Sequence, residues 1–263
     1  PVAGGVAIDN RGSRAVGPLR ASADVEIDGA FGASRTTGKV VSSLDRELAF
    51  ASVGHEQTIA SEGTRIVVNG SVSRARPDLG ASFPGVTYAT DAGAIALGLV
   101  HPLVRSRAQN LSLRATLTGY DGKTLVNDTR TAHDKIRALR LGATWDRADE
   151  WLGVNIVDVE LAQGLALAGA TANDDPERSR ANGRSDFTKA TLYAARLQSI
   201  ARRWSVLAAV TGQYAFTDLL APELFGVGGE AFGRGYDPAE ILGDSGAAAK
   251  VELRFTDATG WNW

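Results

Sequence analysis

Few residues in this chain stand at a spacing that could do chemistry, and most of those lead away from catalysis. The run GVGGEAFGRG at 226–235 has the glycine density of a phosphate cradle. Such a cradle opens a helix after a strand and carries a GK[ST] sequence; neither accompanies this run, which reads as a flexible loop. His55, His101 and His133 are far apart and lack metal-ligand spacing, so surface or turn roles are expected for them. Asp24 with Glu26 and Asp158 with Glu160 are acid pairs that share one face of a strand. Equivalent polar faces carry Arg114, Arg140, Arg196 and Lys250, so these acids read as part of a mixed-charge wetted wall, not an acid–base pair. No catalytic residue, metal or cofactor is expected.

The tripeptide Arg234-Gly235-Tyr236 is the motif that remains. An arginine in a wide aqueous space is planar, always charged and able to take two carboxylate oxygens, so it can pin a loop to an inward-facing acid. Such a charged hydrogen bond contributes about 1.5–3 kcal/mol. Gly235 would let the backbone turn tightly, and Tyr236 would supply a rigid amphipathic body for packing against a wall. Glu252, on the polar face of the strand that follows, is the partner visible in the sequence.

That strand shows what must position the motif. Ala247, Ala249, Val251, Leu253 and Phe255 alternate with Lys250, Glu252 and Arg254, the period-two pattern of a sheet with one apolar and one polar face. Ala21, Val25 and Ile27 oppose Ser22, Asp24, Glu26 and Asp28 in the same way, as do Leu111, Leu113, Ala115 and Leu117 opposite Ser112, Arg114, Thr116 and Thr118. Further strands are expected over 4–13, 36–44, 46–55, 63–74, 91–103, 134–146, 151–163, 186–198 and 203–216. That makes about twelve, each near the 9–11 residues a tilted strand needs to cross a bilayer. Their connections divide into short turns, as at 14–16, and longer polar loops over 74–90, 165–185 and 218–245, the asymmetry of an outer-membrane barrel. A soluble β-sandwich alternates too, and pattern alone does not separate the two. Trp145, Trp151 and Trp204 near strand ends fit an interfacial aromatic belt or ordinary packing.

Bulk properties agree with Gly-rich β structure. The chain's 263 residues fit one large β domain or two ordinary ones, with 30 glycines against 8 prolines. A net charge of −2, a pI near 6.0 and scattered arginines give no footprint for nucleic acid. There is no cysteine, which excludes disulfides, thiolate metal sites and a cysteine nucleophile. The opening PVAGGVAIDN has no export-signal pattern. The longest near-apolar run, 92–104, contains His101 and Pro102 and is shorter than the roughly 20 residues of a membrane-spanning helix. Any membrane crossing therefore falls to strands.

Several segments, in this order, resemble the outer-membrane transporters of two-partner secretion, the haemolysin-activator (TpsB) type: IDNRGSRAVGPLR, LGLVHPLVRSRAQNLSL, RALRLGATWDRADEW, VDVELAQGL, DFTKATLYAARLQ, the RGYDP loop and VELRF. The resemblance implies an all-β transmembrane antiparallel β-barrel whose Arg-Gly-Tyr loop folds back into the lumen. This chain would form a partial barrel over 1–263, with about twelve of the family's sixteen strands and without its N-terminal POTRA region or last strands. Gly233 stands where the family often has valine. Asp257 in TDATGWNW, which looks like the family's next strand, is a second candidate partner for Arg234, although Phe255 runs straight into Thr256 where the family has a turn and part of a strand. The implied function is a cofactor-free pore, monomeric in the outer membrane of a Gram-negative bacterium. It would secrete or activate a partner exoprotein of the haemolysin or adhesin type. An insertase of the same superfamily, a passive porin and a soluble β-sandwich are the alternatives.

Overall fold

The computed structural model describes residues 1–80 and 83–256. They form one antiparallel sheet of twelve strands in the order β1 to β11 and then β14. The strands are β1 Val2–Asp9, β2 Arg20–Asp28, β3 Ser34–Ser43, β4 Leu48–Thr58, β5 Arg65–Ala75, β6 Tyr88–Arg105, β7 Gln109–Val126, β8 Thr129–Ala148, β9 Gly153–Gly164, β10 Thr188–Ala201, β11 Trp204–Ala215 and β14 Gly246–Phe255. A small hairpin of β12 Phe225–Val227 and β13 Ile241–Gly243 lies inside the last connection. Consecutive strands pair as hairpins until β11 skips to β14, and β1 and β14 end the sheet. The architecture is an arc of a barrel wall. No helix among the described residues is long and apolar enough to cross a membrane.

Cross-strand register sorts the side chains into two faces. One row runs Leu99, Ala115, Leu141, Leu161, Ala190, Tyr214, and the next runs Leu113, Ala143, Val159, Leu192, Gly212, Ala247. Leu99, Leu113, Leu141, Val159, Leu161 and Leu192 in these rows are all exposed. On β14 the alternation is complete, with Ala247, Ala249, Val251 and Leu253 exposed and Ala248, Lys250, Glu252 and Arg254 half-buried. A soluble sandwich would cover such aliphatics with a second layer; a barrel leaves them for hydrocarbon and turns its polar side chains inward. The buried apolar cluster is accordingly small: Ile136, Ala138, Ala162, Phe187, Leu219 and Leu220. The sandwich alternative fails on this inversion.

The apolar band has polar margins. His55 Nδ1 lies 2.9 Å from Thr36 Oγ1 at one margin, and Arg74 pairs with Asp91 at 2.6 Å at the other. Beyond the row of Trp145, Val157 and Ala194 comes a row of Arg147, Asn155 and Arg196. Arg196 thus lies on the convex face at the band's edge, bonded to Asp149 at 2.5 Å and Asn155 at 2.6 Å; the strand alternation had placed it on the wetted inner face with Arg114 and Arg140. Trp204 and Phe255 pack ring on ring, centroids 4.9 Å apart, at the same end, where amphipathic aromatics suit a membrane interface.

The two ends of the sheet differ as a barrel's do. At one end the connections are 29–33, 59–64, 106–108, 149–152 and 202–203; at the other, 10–19, 44–47, 76–87, 127–128, 165–187 and 216–245. The stretch Arg14–Val16, expected as a short turn, is a 3-10 segment within the 10–19 connection at the long-loop end. Strands β6, β7 and β8 are longer than expected, at 18, 18 and 20 residues. Their extra length projects at the long-loop end, closed by Asn127 and Asp128 with φ of 49° and 60°, the left-handed pair of a tight hairpin. Where β9 stops, the 165–187 loop takes over the exposed edge of β8: Leu165, Thr171 and His133 amides donate to Arg137, Lys135 and Glu177 carbonyls.

Leu192 stands in the middle of the convex band and Thr191 beside it faces inward. Leu192→Arg should destabilise the folded barrel by about 2–4 kcal/mol, and Thr191→Arg by much less, as read from denaturant unfolding in lipid vesicles. Equal costs would contradict the assignment of faces.

Candidate functional site

The concave wall is built of charged residues in register. On β7 to β9, Asp158 takes Arg114 at 2.5 Å, Arg114 reaches Glu160 at 3.3 Å and Glu160 lies 3.5 Å from Arg140. The signs alternate along this line, so each charge has an opposite neighbour and none is stranded. The chain of pairs ends on a residue that is not in the wall. Arg140 Nη2 donates to Glu223 Oε1 at 2.5 Å, and Lys189 Nζ lies 2.7 Å from Glu223 Oε2.

Glu223 belongs to the 216–245 connection, at the end of the 3-10 turn Ala221–Glu223 that Pro222 helps start. Its side chain is 8 % exposed. The loop is therefore folded onto the concave face. Lys189 Nζ and Gln213 Nε2 donate to the Glu223 carbonyl at 2.8 and 3.0 Å, and Leu219 and Leu220 complete the apolar cluster with Ile136 and Phe187. Arg180, from the neighbouring loop, grips Asp244 through two bonds of 2.6 and 2.9 Å, while Asp244 also accepts the Leu219 amide at 2.8 Å. The Arg180 guanidinium holds the Asp244 carboxyl below its ordinary value, with burial pulling the other way.

From this root the loop runs through β12 to a tip at 228–240 and back through β13. Arg234 Nη2 meets Glu252 Oε1 at 2.9 Å. Glu252 stands on β14 beyond Gly246, whose strand starts at the long-loop end, so the tip reaches about 20 Å down the wall at roughly 3.3 Å per residue. Glu252 is a hub: Lys250 lies 3.1 Å from Oε1 and Arg254 2.8 Å from Oε2. Arg234 is 67 % exposed against 18 % for Glu252, so its pair is worth about 1 kcal/mol at most. Breaking the buried Glu223 contacts would cost about 3–5 kcal/mol. At its far side the tip meets the β1–β2 connection, with Arg11 to Glu230 at 2.8 Å and Arg14 to Asp237 at 3.6 Å. The loop spans the concavity from β14 to the β1 side.

Around the arginine, the structure assigns roles differently from the tripeptide alone. Tyr236 is exposed; the aromatic against the wall is Phe232, edge-on to Tyr193 with centroids 6.5 Å apart and 5.5 Å from Lys250 Nζ. The left-handed turn belongs to Gly233, at φ 103°, and not to Gly235. A β-branched residue at 233 would be strained in this backbone. Asp257, the other candidate partner of Arg234, lies outside the described residues, as does Trp263. Among the described residues no group of three or more His, Asp or Glu side chains could hold a metal ion. Sequence reasoning missed Glu223. Its one sign was a lone carboxylate within the otherwise apolar stretch LLAPELF at 219–225, which needs a cation if the stretch is buried.

Comparison with known proteins agrees with this architecture. The family profile of haemolysin secretion/activation proteins ShlB/FhaC/HecB matches residues 1–262, and the chain belongs to that family. It is 22 % identical over 272 aligned residues to the outer membrane transporter CdiB of Dickeya dadantii, covering 97 % of this chain and 46 % of that protein. In fold it is similar to CdiB from Escherichia coli, at a TM-score of 0.86 and 20 % identity over 97 % of this chain and 48 % of the other. CdiB from Acinetobacter baumannii superposes at a TM-score of 0.67 and 16 % identity, over 98 % and 46 %. The chain spans about half the length of these relatives, of which the Dickeya dadantii protein is named as an outer membrane transporter.

Glu252→Gln should loosen the loop more than Arg234→Ala, because it leaves Lys250, Arg254 and Arg234 facing one another without their shared acid. Faster proteolysis within 216–245 in the Glu252 variant is the expected readout. The Asp244 anchor has a pH signature. Its folded pKa is below the ordinary 3.8, so its contribution is complete above that value and is lost as pH falls through the depressed one. Loop cleavage should stay constant from neutral pH down to about 4 and rise only below it, whereas Asp244→Asn should raise cleavage at neutral pH.

Proposed function

We propose that this member of the haemolysin secretion/activation family is the barrel portion of an outer-membrane pore that exports a partner exoprotein in a Gram-negative bacterium. The observation that carries the reading is the 216–245 loop, held across a polar concave wall from Glu252 on β14 to Arg11 beside β1, behind a convex wall of exposed aliphatics. A wall of this kind separates hydrocarbon from water. A loop across the aqueous side sets what can pass.

The wall chemistry suits an unfolded polypeptide. Mixed charges in alternating pairs, such as Asp158–Arg114–Glu160–Arg140, bind no single sign strongly, so a client of arbitrary sequence meets no deep electrostatic trap. Transport here needs no nucleotide: folding of the client outside the cell supplies the direction. Arg234 holds the loop tip in its working position, with Glu252 as its anchor, and Gly233 gives the tip its turn. The client is of the secreted haemolysin or adhesin class, a reading supported by the family's description as haemolysin secretion/activation proteins, and the pore acts as a monomer in lipid.

In the full-length protein, Arg234→Ala should lower secretion of the partner several-fold while leaving the amount of assembled barrel nearly unchanged. Equal secretion by variant and parent would remove the role given to Arg234. Reversing both charges, Arg234→Glu with Glu252→Arg, tests direct pairing: partial recovery relative to either single change is expected.

A further inference from the structure

Two of the ties that hold the loop are of opposite character. At the tip, Arg234 is mostly solvated, and Glu252 keeps Lys250 and Arg254 if Arg234 leaves. At the root, Glu223 is sealed between Arg140 and Lys189, and its carbonyl is held by Lys189 and Gln213. A departing tip strands no buried charge, whereas a departing root would strand the Glu223 carboxylate and the buried Lys189 and take from Arg140 one of its two acids. The tip begins at Gly228 and Gly229, with φ of 125° and 85°, a region open mainly to glycine, and their amides donate to the Phe232 and Tyr236 carbonyls of the tip itself, so the tip is a unit bonded within itself. Arg140 is itself fixed by Glu160, and Glu160 by Arg114, so the wall from β7 to β10 sets where the root sits.

We infer that Glu223 is the positioning residue on which the loop pivots: clamped by Arg140 and Lys189, it keeps the root on β8 and β10 while the tip bearing Arg234 docks and releases. The inference rests on reading the loop as what sets passage through the lumen. It separates two tasks that the Arg-Gly-Tyr motif alone does not, since Arg234 governs whether the tip is docked and Glu223 whether the loop can return to the same place.

Single-channel recording of the purified full-length protein in planar phospholipid bilayers tests it, with heat-modifiable gel migration reporting assembly. Arg234→Ala should give brief openings. Glu223→Gln should raise open-state occupancy about ten-fold further, the shift expected from losing one charge-assisted hydrogen bond. Lys189→Met, which removes the cation that holds both the Glu223 carboxylate and its carbonyl, should raise occupancy in the same direction as Glu223→Gln. Occupancy in either root variant no greater than in Arg234→Ala would overturn the pivot. If Glu223→Gln does not assemble, hydrogen exchange on the unmodified protein decides: residues 219–225 should exchange about ten-fold or more slowly than 229–240, and equal rates would overturn the assignment. No client protein enters these measurements. A failed pivot therefore leaves the export reading standing, and export independent of Arg234 leaves the pivot standing.

Discussion

Hydrocarbon offers no partner to a backbone amide or carbonyl, and this constraint organises the whole chain. Strands β2 to β11 meet it by pairing on both sides, and β1 and β14 by pairing on one, which leaves the side chains as the main freedom. They divide by parity: aliphatics such as Leu141, Leu161 and Leu192 toward lipid, and Arg114, Glu160 and Lys250 toward water. The usual sense of burial is inverted. The apolar side chains are exposed and the charged ones half-covered, so the stability of this wall belongs jointly to the protein and the bilayer.

Putting charges on the inner wall creates a second requirement, since a cation in a confined space must find an acid. The wall meets it across strands through the alternating line from Asp158 to Arg140, and the loop meets it by donating Glu223 to the end of that line. The loop's place in the lumen thus follows from the same electrostatics that fill the wall. Its tip, joined through an exposed arginine to an acid that already has two other cations, is held far more loosely. A loop with a firm root and a loose tip can change the free cross-section without leaving the lumen.

Much of this was legible before folding because period-two alternation is local. The strands over 36–44, 46–55 and 63–74 fall within or beside β3, β4 and β5, and the Arg234–Glu252 contact was suggested by an arginine's need for an acid together with the place of Glu252 on the polar face of β14. The projecting ends of β6 to β8 were not legible. Residues 119–133 are polar on both faces, as strands beyond the bilayer can be, and polarity on both faces reads as loop. Arg196 misled for a related reason: alternation says which residues share a face, but a polar residue on the lipid-facing side marks the margin of the band, and the position of that margin is not local information.

Sequence by itself determined an all-β chain whose strands carry one apolar and one polar face, because that depends on residue type and on neighbours within a strand; the barrel, and the arginine at the tip of an in-folded loop, followed from the resemblance of ordered segments to a known family. Only the tertiary structure decided that Glu223 closes the charge line between Arg140 and Lys189, that Phe232 and not Tyr236 meets the wall, and that the loop reaches across to Arg11. Those contacts join residues far apart in the chain through the curvature of the sheet. Curvature is a property of all the strands together, so no single segment of sequence carries it.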